Sequence, residues 1–100
     1  MKPALTPDRV ARATLAAARA FEVPPREIIG RCRLSSVVRA RQALACALYQ
    51  VYETSYPQLG DLLNRDHTTV LYSVRAAKHD ADADPDYAER LARIVAACRA

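Results

Sequence analysis

Only two glycines, Gly30 and Gly60, occur among the 100 residues. A phosphate-cradling loop of the form G-x-x-x-x-G-K-S/T is therefore absent, and no nucleotide or other cofactor is expected. Cysteine is scarce and odd in number: Cys32, Cys46 and Cys98 form no C-x-x-C pair. His67 and His79 lie at no metal-ligand spacing from them, so no metal site is expected. The three read as reduced cytosolic thiols, Cys46 and Cys98 in the core and Cys32 in a loop. The first residues, Met1 to Asp8, hold no apolar signal region. No apolar run approaches the roughly 18 residues of a membrane span. The expected location is the cytoplasm.

Tryptophan is also missing, phenylalanine occurs once, and β-branched residues do not cluster in alternating runs. Half of the chain is apolar even so, at 51%, and alanine supplies much of it. This composition favours an all-α protein with small-residue helix packing. One hundred residues make one domain with a modest core. The formal charge of +4 and pI near 9.3 point mildly toward a polyanionic partner.

The apolar spacing predicts about six helices. Thr6-Pro7 reads as N-cap and first helical position, followed by a stripe of Val10, Thr14, Ala17, Ala18 and Phe21. Glu22-Val23-Pro24-Pro25 breaks it. A short helix from Pro25 to Ile29 follows, with Gly30 as a natural residue just past its end. Arg31 to Ser36 reads as a loop, and Ser35 or Ser36 can cap the next helix. That third helix, about Val37 to Glu53, buries Val37, Leu44, Leu48, Val51 and Tyr52. Ser55 with Gln58 fits a capping box for a fourth helix, about Tyr56 to Leu63. Gly60 inside it costs about 1 kcal/mol of helix propensity, which implies close approach of another helix. The fifth helix carries Val70, Val74 and Ala77 on one face and fades near His79. An acidic turn over 80–86 follows, and Asp84-Pro85 starts a last helix over 85–99 striped by Tyr87, Leu91, Ile94, Val95 and Cys98.

One stretch stands out. Arg65-Asp66-His67-Thr68-Thr69 puts five polar residues in a row before the periodic run from Val70. They sit at a helix N-terminus, whose free N–H groups and partial positive charge suit phosphate. Their short donors and acceptors suit base edges. Asp66 can equally act as a helix cap, and His67 can pack on the turn. Upstream, Arg26, Arg31, Arg33, Arg39 and Arg41 stand against one acid, Glu27. Downstream, Asp80, Asp82, Asp84, Asp86 and Glu89 stand against Arg90. The two blocks imply a sided field. A short helix, a tight turn and a polar-tipped second helix are the parts of a major-groove reader.

Arg65-Asp66-His67-Thr68-Thr69-Val70 resembles the signature of the C-terminal DNA-binding domain of the bacterial replication initiator DnaA, a helix–turn–helix of Trp-repressor-like type. Phe21-Glu22-Val23, Ile28-Ile29-Gly30-Arg31, Val37-Val38-Arg39-Ala40-Arg41-Gln42 and Ser55-Tyr56-Pro57-Gln58-Leu59-Gly60 agree with it in order and spacing. The resemblance covers about Thr6 to Lys78. It implies that Arg33 enters the minor groove, that Asp66, His67 and Thr68 meet base edges, and that Thr69, Arg65, Arg41 and Gln42 hold phosphates. The sequence also departs from the family. Cys32, Leu34 and Ser35 stand where it is usually basic or polar, Tyr49 replaces a common lysine, and Asn64 replaces a usual glycine pair in a turn one residue shorter. Fewer phosphate contacts imply weaker, less salt-sensitive binding.

The resemblance and the missing ATPase loop together imply a free-standing DNA-reading domain. The expected function is sequence-specific binding of double-stranded DNA in transcriptional regulation, as an activator in a phage-like or gene-transfer-agent system. A sigma-factor-like protein or RNA polymerase would be its partner. The alternatives are a replication modulator competing for initiator sites and a protein-interaction module or anti-activator using the acidic segment. No enzyme is expected, because Asp66, His67 and Cys32 make no convergent constellation.

Overall fold

The computed structural model describes residues 1–100 and is all-α. Its helices are α1 (Pro7–Phe21), α2 (Pro25–Ile29), α3 (Ser35–Val51), α4 (Tyr56–Leu63), α5 (His67–Ala83) and α6 (Pro85–Arg99). One isolated parallel bridge, Ala4 to Glu53, ties the N-terminal segment to the end of α3.

Local chemistry explains most boundaries. Thr6 accepts from the Arg9 amide at 3.3 Å and caps α1. Ser55 and Gln58 form the reciprocal capping box that starts α4. Asp84 accepts from the Asp86 amide at 3.0 Å and starts α6. The third helix begins differently from expectation. Leu34 occupies its cap position with no side-chain bond, and Ser35 and Ser36 lie inside the helix. Its end falls at Val51, where Tyr52 turns to extended backbone.

Gly30 also behaves otherwise than its spacing implies. Its φ of −85° is an ordinary extended value, so it does not supply a left-handed end. A Cβ there would sit 3.0 Å from the Arg26 carbonyl oxygen, and close approach is what its lack of a side chain permits. The left-handed residues are Glu22 and Asn64, with φ of 56° and 54°. Asparagine tolerates this region well.

The fifth helix does not fade at His79. It continues through Asp80 to Ala83, so the expected acidic turn is the last turn of α5 and the cap of α6. No glycine or proline interrupts the chain before Pro85, and Ala81 packs against the core. Helix propensity and that contact outweigh the missing apolar stripe.

The core forms around α3, which packs against α1, α5 and α6. Ala40, Ala43 and Ala47 are fully buried and admit neighbouring helices closely. Leu44, Leu48, Leu59, Ile28 and Ile94 fill the spaces between. The expected stripes of α1 and α5 are buried, as are Tyr87, Leu91 and Ile94 of α6. Val95 and Cys98 are partly buried and pack on its edge, so Cys98 is less enclosed than expected. Tyr87 meets Phe21 edge-on at 5.6 Å, and its hydroxyl donates to the Arg39 carbonyl at 3.2 Å. Burial pushes its phenol well above the ordinary tyrosine range.

Candidate nucleic-acid interface

The α4–α5 turn is built by contact. Gly60 is buried beneath it, and a Cβ there would lie 2.6 Å from the Arg65 carbonyl oxygen and 3.4 Å from the His67 nitrogen. The Arg65 amide donates to the Gly60 carbonyl at 2.8 Å. Asn64, in left-handed conformation, turns the chain between the two helices. The helix whose approach the glycine implies is α5, met at its first residue, with the turn carbonyl of Arg65 nearer still.

At this start, Asp66 is the N-cap and His67, Thr68 and Thr69 form the first turn. One carboxylate oxygen of Asp66 accepts from the Thr68 amide at 3.0 Å. The other lies 3.9 Å from His67 Nδ1 and is open to a further donor. Capping and base contact are therefore compatible in one side chain. The amides of His67 and Thr69 have no partner within the protein. All four side chains are exposed, and His67 does not pack on the turn. Val70, next in sequence, is fully buried and anchors the helix.

The loop between α2 and α3 runs beside this turn. Arg31, Gly60, Asp61, Asn64, Arg65, Asp66 and Thr69 line one open polar cleft of about 500 Å³. Arg33 is exposed, with no hydrogen bond or ion pair to the rest of the chain. Gln42 is half-buried on α3.

Arg41 and Arg65, expected at phosphates, have protein partners in the free chain. The Arg41 guanidinium donates to the carbonyls of Ile28 (2.7 Å), Glu27 (2.8 Å), Cys32 (3.1 Å) and Gly30 (3.2 Å). Arg65 donates to the Gly30 carbonyl and to that of Asn64, the latter at 3.0 Å. Burial, then the neighbouring Arg65 charge, lowers the Arg41 pKa from its ordinary value. Both guanidinium groups face protein carbonyls in the free chain.

Other expectations shift as well. Arg39 pairs with Asp84 at 3.4 Å and lies over the Tyr87 ring, so the basic and acidic blocks meet on the surface. Tyr49 stacks on Tyr56 with centroids 4.5 Å apart, which gives it a packing role. Two residues outside the expected contact set also lie on this surface. Arg31 lines the cleft, and its basic neighbours were the available signal. Tyr72, 64% exposed, follows Thr68 by one helical turn on α5. Its spacing of four from Thr68 was visible, but an aromatic at helical spacing reads as core until burial is known.

Fold and surface together define a helix–turn–helix DNA-binding domain, with α4 as its first helix and α5 as its recognition helix. Residues 11–76 match the family described as bacterial DnaA protein helix–turn–helix, and the chain belongs to that family. Among its relatives is chromosomal replication initiator protein DnaA 1 of Chlamydia muridarum, 36% identical over 80 residues. That match covers 80% of this chain and 17% of the relative. The initiator protein DnaA of Thermus thermophilus is 33% identical over 79 residues, covering 78% and 18% respectively. The chain spans less than one fifth of the length of these relatives.

Proposed function

We propose that this domain reads a specific duplex DNA sequence and regulates transcription from it. The supporting observation is the exposed Asp66-His67-Thr68-Thr69 turn, seated on a rigid turn and opening a helix whose opposite face is buried. In this reading α5 enters the major groove. Asp66 accepts from a cytosine amino group, while His67 and the Thr68 methyl touch thymine methyls. Thr69, Gln42 and the free first-turn amides meet phosphates. Arg33 reaches the narrow minor groove alongside. The domain itself is non-catalytic, and duplex binding places it on the nucleoid. A sigma-factor-like protein or RNA polymerase supplies the activating contact, and the exposed apolar side chains Leu15 and Ile29 are available for it.

Titration of a labelled genomic fragment, with and without ATP and across a salt series, tests the reading. Binding that needs no ATP and prefers one sequence over random duplex supports it. A strict ATP requirement, or no discrimination, refutes it.

A second reading has its own support. The relatives matched over four fifths of the chain are named chromosomal replication initiators. A chain sharing their recognition signature can compete for their sites as a replication modulator. Genome-wide occupancy separates the two: enrichment at promoters favours regulation, and enrichment at initiator sites favours competition.

A further inference from the structure

Helix α2 has five residues, too few to satisfy its own terminal carbonyls. The Arg41 fork supplies that end with donors at Glu27, Ile28 and Gly30, and reaches one residue beyond the first loop arginine to Cys32. Arg65 comes from another element, the turn that launches α5, and donates to the same Gly30 carbonyl. Two like charges thus converge on one oxygen, with no carboxylate paired to either. Charge-assisted bonds to four carbonyls offset that repulsion.

We propose that Arg41 and Arg65 form a latch on the Gly30 carbonyl that holds the Arg31–Leu34 loop in register with the first turn of α5. The inference rests on the DNA-reading function proposed above. Arg41 is then a positioning residue for Arg33, and the minor-groove and major-groove contacts form one rigid unit. Without the latch the loop is free to lag behind the recognition helix, and Arg33 has to be ordered at the moment of binding. A phosphate contact and a latch make opposite demands on residue 41. A phosphate accepts a lysine ammonium as a point charge, whereas carbonyls in several directions need the planar fork.

A double-mutant cycle on duplexes with A·T-rich and G·C-rich flanks tests this. The proteins are wild type, Arg41→Lys, Arg33→Ala and the double variant, each titrated across a salt series. Arg41→Lys should lose about tenfold in affinity at the A·T-flanked site, with an unchanged salt slope. In the Arg33→Ala background the same change should cost less than about twofold, because the residue it positions is gone. Equal losses in both backgrounds would overturn the latch and mark Arg41 as an independent contact. Wild-type affinity and flank preference in Arg41→Lys would overturn it too. Amide hydrogen exchange at residues 31–34 of the free protein gives a second readout, in Arg41→Lys and in Arg65→Lys. Faster loop exchange with helix exchange unchanged supports the latch, and unchanged loop exchange refutes it. If wild type fails to bind duplex at any salt, the proposed function falls, while the exchange measurement still decides whether the latch exists.

Discussion

Replacing Gly60 by alanine sets two effects of known size against each other. In a helix interior alanine is favoured over glycine by about 1 kcal/mol, so propensity alone predicts a more stable protein. The structure predicts the opposite sign. The new Cβ would stand 2.6 Å from the Arg65 carbonyl oxygen, a backbone atom without a flexible arm to swing aside. Relief requires α4 and the turn to part by several tenths of an ångström. The Arg65 amide bond to the Gly60 carbonyl, 2.8 Å long, lies in the same seam and lengthens with them. Overpacking of this kind costs about 1–3 kcal/mol, which matches or exceeds the propensity gain. The net expectation is a loss of up to about 2 kcal/mol, or a fall of up to roughly 15 °C in Tm for a domain of this size. The damage to DNA reading should be greater than to stability, because the displaced atoms carry His67 and the turn that aims it. Affinity for the preferred site should drop about tenfold or more, with a smaller drop on random duplex. Thermal unfolding followed by circular dichroism and fluorescence anisotropy on both duplexes measure the two halves. A Gly60→Ala protein with a raised Tm and intact specificity would show that the turn yields freely and that the close approach fixes nothing.

Other substitutions probe the surface directly. His67→Ala or Thr68→Ala should cost about 1–3 kcal/mol at the preferred site and much less on random DNA, with an unchanged helix signal. Equal losses on both duplexes would assign these residues to the backbone. Changing Asp80, Asp82, Asp84 and Asp86 to asparagine should leave DNA affinity unchanged or slightly raised, since phosphate repels them. An asparagine in place of Asp84 keeps a capping oxygen for α6, so stability should fall by no more than about 1–2 kcal/mol as the surface pairs Arg39–Asp84 and Arg90–Asp86 are lost. A large loss of affinity would place the acidic segment at the DNA. Alkaline pH gives a further check. Burial raises the pKa of Cys46, Cys98, Tyr52 and Tyr87 above their ordinary values. The folded state therefore keeps protons that the unfolded chain releases. That stabilisation is complete below the range where unfolded thiols titrate, about pH 8, and is lost as pH rises further. Denaturant midpoints that stay level from pH 8 to 11 would contradict this.

Where the chain advertises its structure, it does so with short-range chemistry. Thr6-Pro7, Ser55 with Gln58, and Asp84-Pro85 each place a donor-accepting side chain beside a residue that starts a helix, and each start falls there. The apolar stripes of α1 and α5 are buried for the same reason, because a period near 3.6 leaves one face to the core. The end of α5 is harder to read. Asp80-Ala81-Asp82-Ala83 looks polar and irregular, yet nothing in it stops a helix, and Ala81 finds core to pack on. The arginines of α3 are harder still. A long side chain carries no spacing that says whether its head meets water, phosphate or a carbonyl thirteen residues back. Only the path of α2 and its loop decides that for Arg41, and only the approach of α6 decides it for Arg39.

Those placements change the electrostatics of binding. Of the five arginines between Arg26 and Arg41, Arg39 faces Asp84 and Tyr87, and Arg41 faces four carbonyls. Arg65 is held by the loop as well. Arg31 and Arg33 are the loop cations without a partner of their own. Each phosphate neutralised by a cation contributes roughly −0.9 to the slope of log affinity against log salt, whereas a neutral helix amide bonds phosphate without displacing a full counterion from the DNA. If the proposed reading holds, specificity rests on a few exposed side chains at the head of α5, while Arg39, Arg41 and Arg65 bond within the protein. On that reading the surface should discriminate between sequences better than it holds any one of them. Occupancy then depends on effective concentration, which clustered sites or a tethering partner raise without adding a contact to the domain.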